Sequence, residues 1–557
     1  MREARDLQTS LHRIDGRSYP AYRDLKGRWH LGECTLTIDH VQGDPFASPS
    51  RVRVALCTGL TGLEDADARL ATADWLLRRF ARGLRSVSRG SGKSGRITIY
   101  RPGPEVVDRS AIRLGRDGVA ELRIGVGLPA RGRRVLGGEA WSLLSQDVCQ
   151  AAQRLLQDGW SDHERAELAQ WVDSVSRQRD LRRALREAGL VAFIEDGSLL
   201  PRASGVDARP MKDAVPFHAP PSLRITLETR SGPVTGMGFP VGVTLIVGGG
   251  FHGKSTVLQA LQGGHLDRIP GDGREGVVSD QDTVKIRAED GRRIANVDIS
   301  PFLRDLPGGR TTHTFSTDDA SGSTSQAAAI VEAVEAGARM LLLDEDTSAT
   351  NLLVRDERMR ALIPREREPI TPLVERIREM ADRWSVSVVM VVGGVGDFLA
   401  VADHVVAMTD YQAGDVSEAA RSVAGPPPNS PAPLPPVGAR QVHSRSLRPG
   451  KIRARDDRAV QYGDQEIVLT AVEQVLDSTH AYTLGQALRF MHDELIRDRR
   501  PIHQVLDALE AILDDEGVEV LSPRDYPDGL LVRPRRHEIA AALNRLRSLT
   551  VTRPDDP

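Results

Sequence analysis

Two periodicities organise this chain. Largely apolar runs cover Thr244-Leu245-Ile246-Val247, Met340-Leu341-Leu342-Leu343 and Val386 to Val392. Short runs rich in branched side chains predict buried strands of a parallel sheet. Elsewhere apolar positions recur at steps of three and four. Ser255 to Leu261 reads as a helix that follows the first strand, and Ala327 to Ala338 as one that precedes the second. Leu70, Ala73, Leu77, Phe80 and Leu84 mark the core stripe of a helix over 66–89. Near the end, Lys451-Ile452-Arg453-Ala454-Arg455 alternates and predicts a strand with one basic face. Helical spacing then returns in Leu469 to Leu476, Leu484 to Asp498, Pro501 to Asp514 and Arg536 to Leu549.

Phosphate chemistry enters at the strand ends. Val247 leads into Gly248-Gly249-Gly250-Phe251-His252-Gly253-Lys254-Ser255-Thr256, the G-x-x-x-x-G-K-[ST] spacing of a phosphate-binding loop. Its glycines let the backbone turn N–H groups toward an oxyanion, Lys254 supplies charge to the β- and γ-phosphates, and Ser255 offers a hydroxyl to Mg²⁺. Chance matches occur in glycine-rich chains, but here a strand precedes the loop and a helix follows. His252 reads as a supporting or solvent-facing residue rather than a catalyst. About 90 residues downstream the strand Met340–Leu343 ends in Asp344-Glu345, a distance that suits one α/β nucleotide-binding domain. At such a strand end the first acid holds Mg²⁺ and the second polarises the attacking water. These residues predict ATP and Mg²⁺ as ligands, with Ser255 and Asp344 at the metal and Glu345 as catalytic base.

Between the two motifs, Asp319-Ala320-Ser321-Gly322-Ser323-Thr324-Ser325-Gln326 opens the helix Ala327–Ala338 with small, hydroxyl-bearing residues. Free N–H groups and the positive dipole end there suit an anion. The same residues also suit an ordinary N-cap supplied by Asp319 or Ser321. A serine-glycine helix opening shortly before an Asp-Glu strand is the layout of ATP-binding-cassette ATPases, in which this segment contacts the γ-phosphate held by the opposite subunit.

On these residues the chain resembles the predicted ABC-class ATPase family. The resemblance rests on the loop Gly248–Thr256, on Gly271–Glu275, Lys285–Arg292, Ser321–Gln326 and Asp344–Asn351, and in the N-terminal part on Ile14–Arg17, Ile38–Phe46 and Gly127–Arg134. It implies three parts: an α+β N-terminal domain, an ABC-type P-loop NTPase core of α/β class, and a small, mostly helical C-terminal domain. It also implies a homodimer in which Ser321, Gly322 and Ser323 close over the partner's ATP, and an association with RNA. Three departures from transporter cassettes stand out. The signature reads Ser-Gly-Ser-Thr-Ser-Gln. The strand Val386–Val392 is followed by Gly393-Gly394-Val395-Gly396-Asp397, with no histidine for the γ-phosphate. Gln281 is the candidate for the metal-sensing glutamine.

Composition narrows the classes further. With 557 residues, 40% hydrophobic and 27% charged, the chain is expected to form two to four globular domains. No apolar stretch reaches the ~20 residues needed to span a bilayer, and the first residues lack the apolar core of a signal peptide; a cytoplasmic protein with no membrane partner is expected. Cys34, Cys57 and Cys149 have no metal-ligand spacing and read as buried thiols.

A net charge of −3 leaves nucleic-acid binding to local patches. Trp75 to Pro104 contains no acid, and Arg78, Arg82, Arg85 and Arg89 recur along one face of the predicted helix. A phosphate backbone is one partner for such a stripe, a solvated surface the other. Arg89-Gly90-Ser91-Gly92-Lys93-Ser94-Gly95 imitates a phosphate loop but reads as a flexible basic loop. The second patch follows the proline-rich stretch Gly425–Pro436 and includes Arg440, Lys451, Arg453 and Arg455. Expected boundaries are therefore 1–165, 166–424, a linker 425–438, and 439–557. The reading is an ATP-hydrolysing ABC-class ATPase whose dimer cycle is coupled to nucleic acid, RNA by resemblance. The alternatives are a nucleotide-gated scaffold with negligible turnover and an energy subunit of a transporter.

Overall fold

Strict alternation of buried and open positions along Cys34–His40 and Ser50–Cys57 shapes the first unit of the computed structural model. The structure describes residues 2–205, 207–306, 308–309, 311–363, 367–428, 433–496, 500–553. Two compact units emerge, one formed by Met1–Ser176 with Val518–Arg533, the other by Arg177–Gly517 with Pro534–Pro557.

The first unit is α+β. Its sheet runs in the order Arg2–Glu3, Gly27–Leu31, Cys34–His40, Ser50–Cys57, Val119–Val126, Ile97–Thr98, with Ile112–Leu114 also pairing Val119–Val126. The helix expected over 66–89 forms as Ala66–Gly83, with Asp65 accepting the N–H groups of Asp67 and Ala68 as its cap. It stops short because Leu84 turns extended after Gly83 and Ser86 Oγ both donates to the Ile97 carbonyl and accepts its N–H. Arg85 and Arg89 are therefore not on the helix. Cys34 and Cys149 are buried thiols as read, and meet in this unit with their sulfurs 2.8 Å apart, while Cys57 is exposed rather than buried.

In the second unit the three apolar runs become Val243–Val247, Met340–Asp344 and Ser387–Val391. They sit inside a six-stranded sheet ordered Thr283–Lys285, Met340–Asp344, Ser387–Val391, Val243–Val247, His404–Thr409, Gln412–Asp415, parallel except for the last pair. Burial on both faces explains why these strands read as continuous apolar runs. An antiparallel sheet of Arg224–Thr229, Gly232–Pro240, Leu190–Glu195 and Val277–Ser279 accompanies it. The core is α/β.

Beyond 439, the same unit holds a three-stranded antiparallel sheet, Ile452–Ala454, Ala459–Tyr462 and Gln465–Val468, and the helices Ser478–Phe490, Ile502–Glu516 and Arg536–Asn544. The helix expected over Leu469–Leu476 is instead a series of turns. Gln474 explains this: its side chain accepts the Lys285 N–H and donates to the Gln262 and Thr283 carbonyls, which ties the segment down in an irregular path. Part of the linker, including Pro431, and the end of the helix expected to reach Asp498 lie outside the described residues. Among the described residues no helix is long and apolar enough to cross a membrane.

Candidate active site

Parallel strands deliver their C-terminal ends to one edge of a sheet, and here that edge gathers the chemistry. The loop Gly248–Gly253 leaves Val243–Val247 and runs into the helix Lys254–Gln262. Gly248 has φ +136°, and a Cβ there would lie 2.3 Å from the Met408 carbonyl oxygen, so only glycine fits. Lys254 Nζ folds back on the loop and donates to the carbonyls of Gly248 and Gly249, each at 2.7 Å. Ser255 and Thr256 follow on the first helical turn, with Ser255 exposed.

Three non-glycine residues in or beside the loop hold left-handed backbones. Phe251 holds φ 64° with 99% of its surface exposed. Asp410 and Tyr411 take φ 50° and 66° as the two-residue turn between His404–Thr409 and Gln412–Asp415. His252 secures that turn by accepting the Asp410 N–H on Nδ1 at 2.8 Å. Tyr411 then stands against Gly253 at the rim of an apolar cleft lined by Leu200, Pro201, Val215, Phe217 and Thr256. Nothing in local sequence pattern signals this hairpin.

The acids end the strand Met340–Asp344, two positions across the sheet from Val243–Val247 with Ser387–Val391 between them. Asp344, nearly buried, ends its strand and accepts the Asp346 N–H on Oδ1 at 3.2 Å. Glu345 directs its carboxylate to the glycine turn after Ser387–Val391, where Oε2 accepts the N–H groups of Gly393 at 2.7 Å and Gly394 at 3.0 Å. Both amides belong to the turn Gly393-Gly394-Val395-Gly396-Asp397, which contains no histidine.

Ser321 precedes the helix Gly322–Glu335 and is exposed, while Ser323 is buried; their hydroxyls are 3.4 Å apart, and Ser321 Oγ lies 3.0 Å from Thr324 Oγ1. Gln326, fully buried, donates to Ser348 Oγ at 2.9 Å and accepts the Ala349 N–H at 2.8 Å. It joins the signature-like segment to the loop beyond Glu345. Gln281 does not reach this edge. It precedes the strand Thr283–Lys285, whose first residue pairs with Met340, so it lies at the end opposite Asp344 and donates to the His265 carbonyl.

The basic candidates divide. Arg78 pairs with the buried Asp74 at 2.7 Å, and Arg89 with Glu139 and Asp147 at 2.6 and 2.9 Å. Arg82 is exposed, its nearest acid Glu167 at 3.8 Å, and Arg85 is exposed in the extended segment. The loop Arg89–Gly95 is not free: Ser91, Lys93 and Gly95 donate their N–H groups to the carbonyls of Ala130, Pro45 and Gly127. Arg440 is 1% exposed and bound to Glu335, the Ala295 carbonyl and Asn544, which removes it from any surface patch. Lys451, Arg453 and Arg455 are all exposed along the edge strand, while Ile452 packs toward the helix Ser478–Phe490; Arg455 pairs with Glu466 at 3.2 Å.

Comparison with known proteins agrees with this geometry. Family models match for an ABC-class ATPase P-loop domain over residues 164–436, for the N-terminal domain of ABC-class ATPases over 4–158, and for the MRB1590 C-terminal domain over 451–552. An uncharacterized protein of Methanocaldococcus jannaschii is 31% identical over 252 residues, 43% of this chain and 55% of the relative, so the chain spans about half the length of that curated protein. Among solved structures, an ATP-binding cassette of an ABC transporter in its ADP conformation is 12% identical over 42% of this chain and 94% of its own, with a TM-score of 0.25. A component of the cbiONQ ABC transporter complex from Clostridium perfringens is 13% identical over 40% and 87%, with a TM-score of 0.24. With an N-terminal domain, a P-loop core and a C-terminal domain matched in order along nearly its whole length, the chain belongs to the ABC-class ATPase family.

Proposed function

We propose that this protein binds and hydrolyses ATP as a homodimer and uses that cycle to grip and release nucleic acid, RNA in preference to DNA, in the cytoplasm. One observation carries the catalytic part: Lys254 with its loop, Asp344-Glu345 and the Gly393-Gly394 turn all leave the same edge of three adjoining parallel strands. Gly248 to Thr256 surround the phosphates, and the base enters the apolar cleft with Tyr411 at its rim. The Ser255 hydroxyl and the Asp344 carboxylate, both hard oxygen donors, fit Mg²⁺. When bound, Mg²⁺ neutralises charge on the β- and γ-phosphates. Glu345 orients the water, and the Gly393 and Gly394 amides keep its carboxylate in place.

Two protomers pair head to tail, so that Ser321, Gly322 and Ser323 of one reach the γ-phosphate on the other. ATP holds the dimer together and hydrolysis releases it. Arg82, Arg85, Lys451, Arg453 and Arg455 supply exposed cations for a phosphate backbone, with Arg78 and Arg89 held in reserve by their acids. Backbone electrostatics govern such binding because aromatics are only 4% of the chain.

The direct test is Glu345→Gln, which removes the base and is expected to trap an ATP-bound dimer in sizing chromatography; a variant that stays monomeric with ATP refutes the paired site. A second reading, a nucleotide-gated scaffold with negligible turnover, draws on the absence of a histidine from Gly393 to Asp397. Phosphate release above a Lys254→Ala control rejects it. Titrating RNA and DNA binding against salt, with and without ATP, tests the nucleic-acid part: a steep slope that changes with nucleotide is expected.

A further inference from the structure

Away from the phosphate loop, the second unit encloses a cavity of about 50 Å³ between Val284–Arg287, the helix Gly322–Glu335, the segment Ala471–Gln474 and the helix Arg536–Asn544. About 10–15 Å³ measured this way accommodates one water, so there is room for a few waters or one tetrahedral oxyanion. Four cations, Lys285, Arg287, Arg292 and Arg545, contribute to its wall.

Every carboxylate on that wall has an arginine, although Glu332 Oε1 keeps no hydrogen-bond partner among the described residues. Arg287 pairs with Glu473 at 3.1 Å, Arg292 with Glu332, and Arg535 with Glu538, while Arg545 reaches outside the wall to Glu289 at 2.7 Å. Lys285 is left over. It is 7% exposed and forms no ion pair within 4 Å among the described residues, with the Glu473 and Asp344 carboxylates acting on it only from further off. Arg292, 4% exposed, likewise keeps Nε and Nη1 without a partner among the described residues. Burial pushes the Lys285 ammonium below its usual range against the pull of Glu473 and Asp344, and burial with the neighbouring Arg292 charge does the same to Arg545 against Glu289 and Glu332. Buried positive charge with idle donors is costly unless an anion meets it.

We infer that this cavity binds one phosphate-sized oxyanion, free or as the phosphate of a small ester, with Lys285 and Arg292 as its principal donors. Such an occupant does not touch the P-loop. It does touch Ala329, Glu332, Ala333 and Ala336 of the helix that opens after Ser321. It also lies against the strand whose next residue, Ile286, donates to Leu342 at 3.0 Å in the strand ending at Asp344.

Equilibrium dialysis with radiolabelled inorganic phosphate tests this in the full chain. Lys254→Ala serves as the background, so that phosphate held by the P-loop does not interfere and ATP binding plays no part. The background is expected to take up phosphate, and adding Lys285→Met, which keeps the stem and removes the charge, is expected to weaken uptake about tenfold or more. Glycerol phosphate in a parallel arm distinguishes an ester from the free ion: tighter binding of either identifies the source and supports the site. Equal uptake by the two variants, or no uptake of either probe at about 10 mM, overturns the inference. Should Lys285→Met fail to fold, crystals of the Lys254→Ala chain soaked in arsenate decide the matter, because the anomalous peak must fall within hydrogen-bond reach of Lys285; a peak elsewhere, or none, overturns it.

Discussion

The Glu345 carboxylate accepts the Gly393 backbone N–H at 2.7 Å. A backbone donor cannot change protonation state, so the group that positions the proposed base works at any pH at which the acid is ionised. Replacing Gly393 by proline deletes that N–H, whereas alanine retains it and would place Cβ 3.9 Å from Glu345 Oε2, an ordinary contact. Losing a hydrogen bond to a charged group costs about 1.5–3 kcal/mol, roughly ten- to hundredfold in rate. Steady-state phosphate release is expected to fall by about that factor in Gly393→Pro and to change little in Gly393→Ala, with ATP still bound by both.

Gln326 is buried and satisfied at both ends of its amide by Ser348 and Ala349. Gln326→Leu leaves the Ala349 N–H and the Ser348 hydroxyl without this partner, at about 1–3 kcal/mol. Light scattering is expected to show weaker ATP-dependent dimerisation, while nucleotide binding by the single chain is retained. Equal dimerisation of the variant and the parent would remove Gln326 from the coupling.

Arg440 is a structural residue rather than a ligand for nucleic acid. Its guanidinium holds Glu335, the Ala295 carbonyl and Asn544 in the interior. Arg440→Met strands Glu335 without its cation, and breaking a buried pair in this way costs about 3–5 kcal/mol. The melting temperature is expected to drop by several degrees, whereas Arg453→Met on the exposed strand is expected to leave it unchanged and to lower the salt slope of RNA binding by about one.

Arg79 holds the Glu164 carboxyl down to about 2, first through its hydrogen bond. A carboxyl depressed in the folded state adds stability above its unfolded pKa, and that contribution fades as pH falls toward the folded value. The parent should therefore exceed Arg79→Met in urea midpoint near pH 6, and the gap should narrow progressively below about pH 4.5. A gap that widens on acidification contradicts the pair.

Much of this was legible in residue order because the chemistry is local. A buried parallel strand must be apolar throughout, and a loop that turns N–H groups toward phosphate must be glycine-rich. Val243–Lys254 and Met340–Glu345 therefore announce both fold and function within a dozen residues. The alternation that places Lys451, Arg453 and Arg455 on one face is equally local.

Tertiary contact decided the rest. Which arginines remain in solvent depends on acids far along the chain: Arg89 finds Asp147 58 residues away, and Arg440 finds Glu335 at a separation of 105. Gln281 was misplaced because only strand register reveals at which end of the sheet a residue lies. The Gly393 amide became part of the site because two neighbouring strands end together, bringing it to Glu345 across 48 residues. Periodicity records the environment that each residue needs; which distant partner supplies it is settled only when the sheet pairs and the helices pack.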